Sequence, residues 1–332
     1  MLKYRRADAK AYARQHLRGV WAAAPTPFRA DDLALDEAGL RRNLRHWIGA
    51  LGVGGLFISG KQGEFFAMSI AERKRTFEIA VEETAALGNR SGTILSCSDQ
   101  NLDTVIELAK HAQGIGADYI VVHAPLLHFG RDVDDTVFEY YRHIASQVDI
   151  GIAMWSHEDA GYLMSPELCA RIAREIPNIV AIKYSVPREM YVRLSRMTEG
   201  TLIVSTASEE EWLDNILELD WQVYLCSIPP LIYQTATDRR IDEYTRLAMA
   251  GDAAGARRVR DSLNPVRQAL KAARPPGTPQ AFQKYWLDLL GQAGGPVRRP
   301  LLNLSDAQRA RVREQFAASG LAAPVPAAKA VA

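Results

Sequence analysis

The chain has 332 residues, and its 40 lysine and arginine residues balance 39 aspartate and glutamate residues to a formal charge of +1. Without a basic block, nucleic acid is excluded as an expected partner, and three widely separated cysteines indicate reduced thiols rather than a metal site. No apolar stretch reaches the roughly 20 residues of a membrane span, and polar residues follow the basic start, so we predict a cytoplasmic protein without cofactor or metal.

The first 17 residues predict a helical arm, and after it short apolar runs alternate with longer amphipathic stretches up to residue 230. Ser165 and Ser208 precede acidic first turns and are predicted helix N-caps. Runs that are apolar throughout suit strands covered on both faces. The predicted strands are 19–24, 54–59, 92–96, 118–123, 150–155, 179–183, 201–205 and 222–227.

Eight strand–helix units in this length predict an α/β fold, a TIM (β/α)8 barrel with its active site at the carboxyl ends of the strands. A doubly wound open sheet is the alternative. That fold needs fewer units and a glycine fingerprint after the first strand, where this chain has Thr26-Pro27-Phe28. The arm, residues 1–17, then either caps the bottom of the barrel or adds to a subunit interface.

Residues 231–320 show helical patterns only and predict a C-terminal helical region. Residues 321–332 are rich in alanine and proline, have little to bury, and are predicted to be disordered. The predicted helices of the C-terminal region lie at about 230–250, 253–272, 279–292 and 305–318.

Lys183 is the most informative single residue, because it ends the apolar run of the sixth predicted strand and would point into the mouth of the barrel. An amine drawn into an apolar setting has a lowered pKa, and its neutral form attacks carbonyls to give a Schiff base. The local run alone fits equally well a lysine that extends from a strand end into solvent.

Four stretches, taken together in their order and spacing, favour the catalytic interpretation of Lys183. They are Thr26-Pro27-Phe28, the run from Gly52 through Gly60-Lys61-Gln62-Gly63-Glu64 to Lys74, the run Gly116 to Pro125, and Ile182-Lys183. Together they resemble the dihydrodipicolinate synthase and N-acetylneuraminate lyase superfamily of Schiff-base aldolases, over roughly residues 18–300. The resemblance implies a 2-oxo acid bound as an imine on Lys183, a homotetramer or dimer, and no metal.

The loop after the second strand departs from the family sequence Gly-Thr-Thr-Gly-Glu, which holds the carboxylate of the oxo acid. Lys61 and Gln62 replace the two threonines. With Gly63, which allows a tight turn with N–H groups facing an anion, they are predicted to bind substrate. The alternative for Lys61 is a solvated loop charge, and Glu64 is predicted to be a structural acceptor at the base of the loop.

The family's proton-shuttling tyrosine is also replaced. The expected Pro-Tyr-Tyr after the fourth strand reads Pro125-Leu126-Leu127, so Leu127 is predicted to line the pocket without carrying a proton. His123, His128, His157 and Tyr184 lie at or just beyond strand ends, where an imidazole or phenol can act as acid or base. We place His128 first and Tyr184 second as the catalytic proton carrier.

The stretch after the fifth strand puts Asp159 where the biosynthetic synthases have an arginine that binds the carboxylate of the aldehyde partner. An acid there repels an anionic aldehyde, which argues against lysine biosynthesis. Trp155, with Leu126, Leu127 and Phe65-Phe66, makes the expected pocket apolar, although the phenylalanines fit barrel packing equally well. His157 and Ser205, at the ends of the fifth and seventh strands, complete the predicted substrate-binding set.

These observations predict a class I lyase that forms a Schiff base at Lys183 with a 2-oxo acid. Its substrate has an apolar or aromatic portion, as in members of the superfamily that act as hydratase-aldolases on benzylidenepyruvates. Two alternatives remain: hydrolysis or decarboxylation of the imine-bound acid, and a barrel that binds an oxo acid without catalysis.

Overall fold

The predicted strands form a barrel of eight parallel strands in the computed structural model, which describes residues 2–127, 133–277 and 279–321. The observed bounds agree with the predicted ones to within about two residues. The strands are β1 (Gly19–Ala23), β2 (Gly55–Ile58), β3 (Gly92–Ser96), β4 (Tyr119–His123), β5 (Gly151–Ser156), β6 (Ile179–Tyr184), β7 (Ile203–Ser205) and β8 (Val223–Ser227).

Helices surround the barrel and continue into the C-terminal region. Those up to β8 are α1 (Ala9–His16), α2 (Glu37–Gly49), α3 (Ile70–Ala86), α4 (Leu102–Gly114), α5 (Asp134–Gln147), α6 (Pro166–Glu175), α7 (Arg188–Met197) and α8 (Glu209–Leu219). Those after β8 are α9 (Pro229–Ile232), α10 (Arg240–Met249), α11 (Ala253–Asp261), α12 (Asn264–Ala273), α13 (Gln280–Leu289) and α14 (Asp306–Ala318). No helix within the described ranges combines the length and apolarity that crossing a bilayer requires.

Two of the predicted C-terminal helices are wrong in extent, because each is divided in two. The segment 230–250 is interrupted by a turn in which Thr235 and Asp238 exchange backbone hydrogen bonds. The segment 253–272 breaks before α12, whose first turn contains Pro265. Proline has no N–H to continue the preceding helix, but it fits the first turn of a new one.

The serine caps differ from each other. Ser165 accepts a hydrogen bond from the Leu168 amide at 3.1 Å and caps α6 as predicted. Ser208 precedes α8 but makes no side-chain capping bond, so that prediction is wrong. Glu209 instead fixes the start of α8, because its buried carboxylate accepts hydrogen bonds from Arg267 and Tyr244.

Trp21 fills the lower part of the barrel, where its ring packs against two glycines. A Cβ atom on Gly55 or Gly92 would lie 2.2 or 2.4 Å from the Trp21 ring, so only glycine leaves room for this indole. The N-terminal arm packs below it, where the Tyr4 hydroxyl donates to the Asp118 carbonyl at 2.5 Å and accepts from the Gly151 amide at 2.8 Å. The arm therefore closes the bottom of the barrel, and the opening lies at the carboxyl ends of the strands.

The hydrogen-bonded ladders run from β7 through β6, β5, β4, β3, β2 and β1 to β8. Ser205 joins the two end strands: its hydroxyl donates to the Val223 carbonyl at 2.8 Å and accepts from the Leu225 amide at 2.9 Å. Its hydrogen-bonding capacity is used in closing the barrel. The structure therefore gives Ser205 a structural place rather than the predicted substrate contact.

Candidate active site

Lys183 lies on the inner face of β6, near the carboxyl end. It is level with Trp155 on β5 and Ser205 on β7. The side chain is 8% exposed, and its Nζ lies 4.7 Å from the centroid of the Trp155 ring and 5.1 Å from that of Phe57. The strand therefore places the amine in an aromatic enclosure at the mouth of the barrel and away from bulk water.

Nζ faces a cavity of about 190 Å³. This inner cavity combines apolar walls with a few polar groups, the composition that small-molecule sites typically have. The residues that line it with Lys183 are Ala23, Phe57, Lys61, Gln62, Trp155, His157, Ser185, Ala207 and Ser227.

The loop after β2 approaches this cavity through a tight turn. Gly60 lies against the Phe57 ring, where a Cβ atom would come within 2.7 Å of the ring, and Lys61–Gly63 form one turn of 3-10 helix. Glu64 ends that turn in the left-handed region, with a φ of 56°. Its buried carboxylate accepts from Lys284 Nζ at 2.7 Å and from the Arg298 amide at 2.9 Å, consistent with the predicted structural acceptor.

Lys61 is ion-paired with Asp159 across the mouth of the barrel. Burial is the largest single influence on Asp159 and opposes its ionisation, but the hydrogen bond to Lys61 and the positive charge of Lys61 together outweigh burial and lower the pKa of the carboxyl. His157 Nδ1 accepts from the Asp159 amide at 3.2 Å, so its Nε2 carries the proton of the neutral ring. Burial and the positive charge of Lys61 both lower the pKa of His157.

A second, outer cavity of about 440 Å³ adjoins the inner one, and Lys61 and Trp155 line both. Its walls are mainly apolar, with Arg73, Asp99 and Asp159 among the polar groups. The apolar side chains that line it are Phe65, Phe66, Met68, Ile70, Leu126 and Trp155. Phe65 and Phe66 therefore lie at the site instead of packing inside the barrel.

Two predicted residues lie elsewhere. Tyr184 is fully buried on the outer face of β6, and its hydroxyl donates to the Met164 carbonyl at 2.5 Å. Neighbouring residues of a strand point to opposite faces, so Tyr184 lies away from the cavity of Lys183, and its predicted role beside the amine is wrong. Leu127 packs against the layer between helices and sheet, while Leu126 lines the outer cavity.

The remaining predicted residues divide as follows. Lys61, Gln62, Trp155 and His157 line the inner cavity, and Asp159 lines the outer one. Gly63 is buried beneath the loop, where a Cβ atom would lie 3.1 Å from the Ala24 carbonyl oxygen. His128 lies outside the described residues.

His123 was given no leading role by the sequence, yet it faces the site. It is paired with Trp155 across β4 and β5, and it lines the outer cavity. Its ring meets the Trp155 ring edge-on at a centroid distance of 4.8 Å. The signal was present in the alternation of β4, since Tyr119 and Val121 point inward and the next inward position is 123.

Several buried polar atoms at the two cavities have no hydrogen-bond partner among the described residues. They are Gln62 Oε1, His123 Nε2, Trp155 Nε1 and Ser185 Oγ. Buried polar groups are normally paired, so their concentration around one opening indicates a place where a polar ligand binds.

The model of the dihydrodipicolinate synthetase family matches residues 16–319. A 4-hydroxy-tetrahydrodipicolinate synthase of Methanothrix thermoacetophila is 28% identical over 303 residues, which cover 90% of this chain and 95% of the relative. A probable 5-dehydro-4-deoxyglucarate dehydratase of Saccharopolyspora erythraea is 26% identical over 302 residues, 89% of this chain and 92% of the relative.

The fold likewise matches solved structures. A prophage protein of E. coli K12 from the dihydrodipicolinic acid synthase family, crystallised in complex with pyruvate, superposes with a TM-score of 0.78. It is 22% identical, and the match covers 91% of this chain and 99% of that one. The family model matches most of the length of this chain, and the chain folds into a barrel of eight parallel strands. This chain therefore belongs to the dihydrodipicolinate synthetase family and is a lyase.

Proposed function

We propose that the protein is a class I aldolase that binds a 2-oxo acid as an imine on Lys183 and cleaves a carbon–carbon bond to release an apolar or aromatic aldehyde. One observation carries the proposal. The amine of Lys183 faces a small cavity that adjoins a larger apolar cavity at Lys61 and Trp155. A reactive centre beside an apolar compartment suits a substrate whose two ends differ in polarity.

The inner cavity suits the oxo-acid end. Lys61 and Gln62 face Lys183 across it and replace the hydroxyls that hold the carboxylate elsewhere in the family. A lysine supplies a positive charge and three donors, and an amide supplies further donors. We assign the carboxylate of the oxo acid to these two side chains, with Lys61 exchanging Asp159 for the substrate.

The chemistry then follows from the imine. The neutral Lys183 amine adds to the keto carbon, and loss of water gives an iminium ion. The substrate hydroxyl is on the second carbon beyond the iminium carbon, and it gives up its proton. The bond between that second carbon and the first carbon breaks, and its electron pair moves into the iminium to leave an enamine and an aldehyde. Protonation of the enamine carbon and hydrolysis release pyruvate and restore the amine.

The protein favours the charged intermediate through its aromatic rings. The faces of Trp155 and Phe57 lie about 5 Å from Nζ, and a cation over such a face is stabilised by roughly 0.5–2 kcal/mol. No metal is needed for this step, because the iminium itself is the electron sink. The aldehyde portion would lie against Phe65, Phe66 and Leu126 in the outer cavity.

Lysine biosynthesis does not fit this site. Asp159 occupies the place of the arginine that receives an anionic aldehyde in the biosynthetic synthases, and it lines the outer cavity. A carboxylate there repels a second carboxylate on the substrate. We therefore propose an uncharged aldehyde partner.

Borohydride trapping tests the proposal. Incubation of the wild-type protein with pyruvate and sodium borohydride should add one reduced pyruvyl group per chain, and peptide mass analysis should place it on Lys183. The water adduct of benzylidenepyruvate, 4-hydroxy-2-oxo-4-phenylbutanoate, carries the hydroxyl that the step needs and should then yield benzaldehyde and pyruvate. A label on another lysine, or no label with several oxo acids, would contradict the imine. Release of carbon dioxide would identify a decarboxylase, and trapping without any turnover would identify a binding protein.

Replacing Asp159 with asparagine is expected to tighten oxo-acid binding, because Lys61 then has no competing carboxylate. Lys61 and Asp159 are 40% and 44% exposed, so solvent screening limits the change to about two- to fivefold. The pyruvate dependence of borohydride inactivation measures it. Lys61→Met should shift the same curve in the opposite direction, and a weaker affinity in Asp159→Asn would contradict this assignment of the carboxylate.

The oligomeric state and location extend the proposal. Barrels of the resembled superfamily usually form tetramers, whereas one solved neighbour is a monomeric variant of dihydrodipicolinate synthase, with a TM-score of 0.80 at 22% identity over 93% of this chain and 99% of that one. We propose a homotetramer or dimer in the cytoplasm. Sedimentation at several protein concentrations would distinguish these from a monomer.

A further inference from the structure

We propose that His123 is the catalytic base that takes the proton from the substrate hydroxyl during carbon–carbon cleavage. This inference rests on the proposed function and names the group that replaces the missing tyrosine.

The position of His123 places it beside the reacting atoms. His123, Trp155 and Lys183 occupy matching positions on three adjacent strands, β4, β5 and β6, and all point into the mouth of the barrel. The indole lies between the other two: the imidazole meets its ring at 4.8 Å, and the amine lies 4.7 Å from its centroid. A substrate joined to Lys183 and passing over the indole into the outer cavity brings its second carbon beyond the imine towards His123.

The hydrogen bonding of the His123 ring determines which nitrogen carries the proton. His123 Nδ1 lies 2.6 Å from the Ala124 carbonyl oxygen. A carbonyl oxygen can only accept, so Nδ1 carries the hydrogen and Nε2 of the neutral ring carries the lone pair. Nε2 is buried and has no hydrogen-bond partner within the described part of the chain. A fixed tautomer with an unused lone pair, on a ring that lines a substrate-sized cavity, is the arrangement that a general base requires.

The other candidate proton carriers lack an available lone pair on the correct face. His157 uses Nδ1 as an acceptor for the Asp159 amide, so its outward nitrogen carries a proton and cannot take another in the neutral ring. The hydroxyl of Tyr184 is committed to the Met164 carbonyl on the far face of β6. Of the described candidates, only His123 both points into the mouth of the barrel and has an available lone pair.

The proposed step balances. Nε2 takes the hydroxyl proton, the oxygen electrons form the aldehyde carbonyl, the carbon–carbon bond breaks, and its pair forms the enamine as the iminium is neutralised. The imidazolium then returns a proton to the enamine carbon or to water, and the ring is neutral again. No oxidant, reductant or metal enters the step.

Charge around the ring sets the working pH. Burial lowers the pKa of His123, and its hydrogen bond to Ala124 partly offsets this. The charges of His157 and Lys61 add to the lowering, and the charge of Asp159 opposes it. Arg73 and Asp99 line the same cavity. A lowered pKa keeps the ring neutral at pH 7, so the active form is lost only when the pH falls through that value. Turnover should therefore decline only at a pH below the ordinary titration range of a free imidazole.

Two His123 variants test the role. His123→Asn keeps a donor for Ala124 but lacks a base, and His123→Ala opens space for a free imidazole. Both should lower kcat for 4-hydroxy-2-oxo-4-phenylbutanoate by about 10²- to 10⁴-fold, lose the decline at low pH, and still trap pyruvate on Lys183 at the wild-type rate. Added 4-methylimidazole should restore part of the activity of His123→Ala only. His143→Gln, on the exposed face of α5, is the matched control and should behave as wild type.

The outcomes separate this inference from the proposed function. Loss of turnover with trapping and melting temperature retained supports the base. Wild-type turnover in either His123 variant overturns it while leaving the imine in place. Loss of trapping together with a lowered melting temperature in both variants would make His123 a structural residue and overturn the role. Absence of trapping in the wild-type protein, or trapping without cleavage, overturns the proposed cleavage and the base with it.

Discussion

Replacing Lys183 with methionine is expected to lower kcat by at least about 10⁴-fold, the order of loss found when a covalent nucleophile is removed. Methionine keeps the length of the side chain and suits the contacts with Phe57 and Trp155, so the fold should survive. The residual rate with 4-hydroxy-2-oxo-4-phenylbutanoate and the mass of the borohydride-treated protein measure the effect.

Lys61→Met is the control for that experiment, because Lys61 is the other lysine that lines the inner cavity. It should retain the label on Lys183 at saturating pyruvate. A Lys183→Met protein that still gains one reduced pyruvyl group per chain, or keeps more than a few per cent of turnover, would show that another amine forms the imine.

Replacing Lys284 with methionine is expected to lower the free energy of unfolding by about 3–5 kcal/mol, because it leaves the carboxylate of Glu64 buried without its partner. Both side chains are fully buried, and Lys284 also donates to the Pro296 carbonyl at 2.7 Å. Burial lowers the pKa of Lys284, and Glu64 partly offsets this. Because Glu64 ends the Lys61–Gly63 turn, weaker pyruvate binding should accompany the loss. Urea unfolding at one protein concentration measures the change.

Two controls give that value its meaning. The double variant Glu64→Gln with Lys284→Met removes the orphaned charge and should recover much of the lost stability, which a double-mutant cycle would report as strong coupling. Lys74→Met breaks an ion pair with Glu107 that is largely exposed to solvent, and it should cost at most about 1 kcal/mol. Equal effects in Lys284→Met and Lys74→Met would show that the buried pair does not stabilise the loop.

The sequence located the strands well because strands covered on both faces are written as continuous apolar runs. It also located Lys183, since a lysine that ends such a run is visible without a structure. The helices after β8 were less readable: the turn at Thr235–Asp238 carries no glycine or proline, and the periodicity on either side conceals it.

The errors at the site arose because closeness along the chain was used to predict where a side chain points. Tyr184 is next to Lys183 in sequence, but the pleat turns it into the outer layer, while His123 lies 60 positions away and faces the same mouth. Strict use of the alternation in β4 and β6 would have favoured His123 over Tyr184. Ser205 faces inward as expected, yet its hydroxyl is used in hydrogen bonds that connect β7 to β8.

The order of apolar runs and helices determined the barrel, the place of Lys183 at the end of the sixth strand, and the family, because each depends on patterns that can be read along the chain. Tertiary structure alone decided which loop charges meet, as in Lys61 with Asp159 and Glu64 with Lys284, which are 98 and 220 residues apart. Such pairs depend on how loops and helices far apart in sequence are brought together by the fold. The local periodicity of a sequence does not predict such long-range contacts.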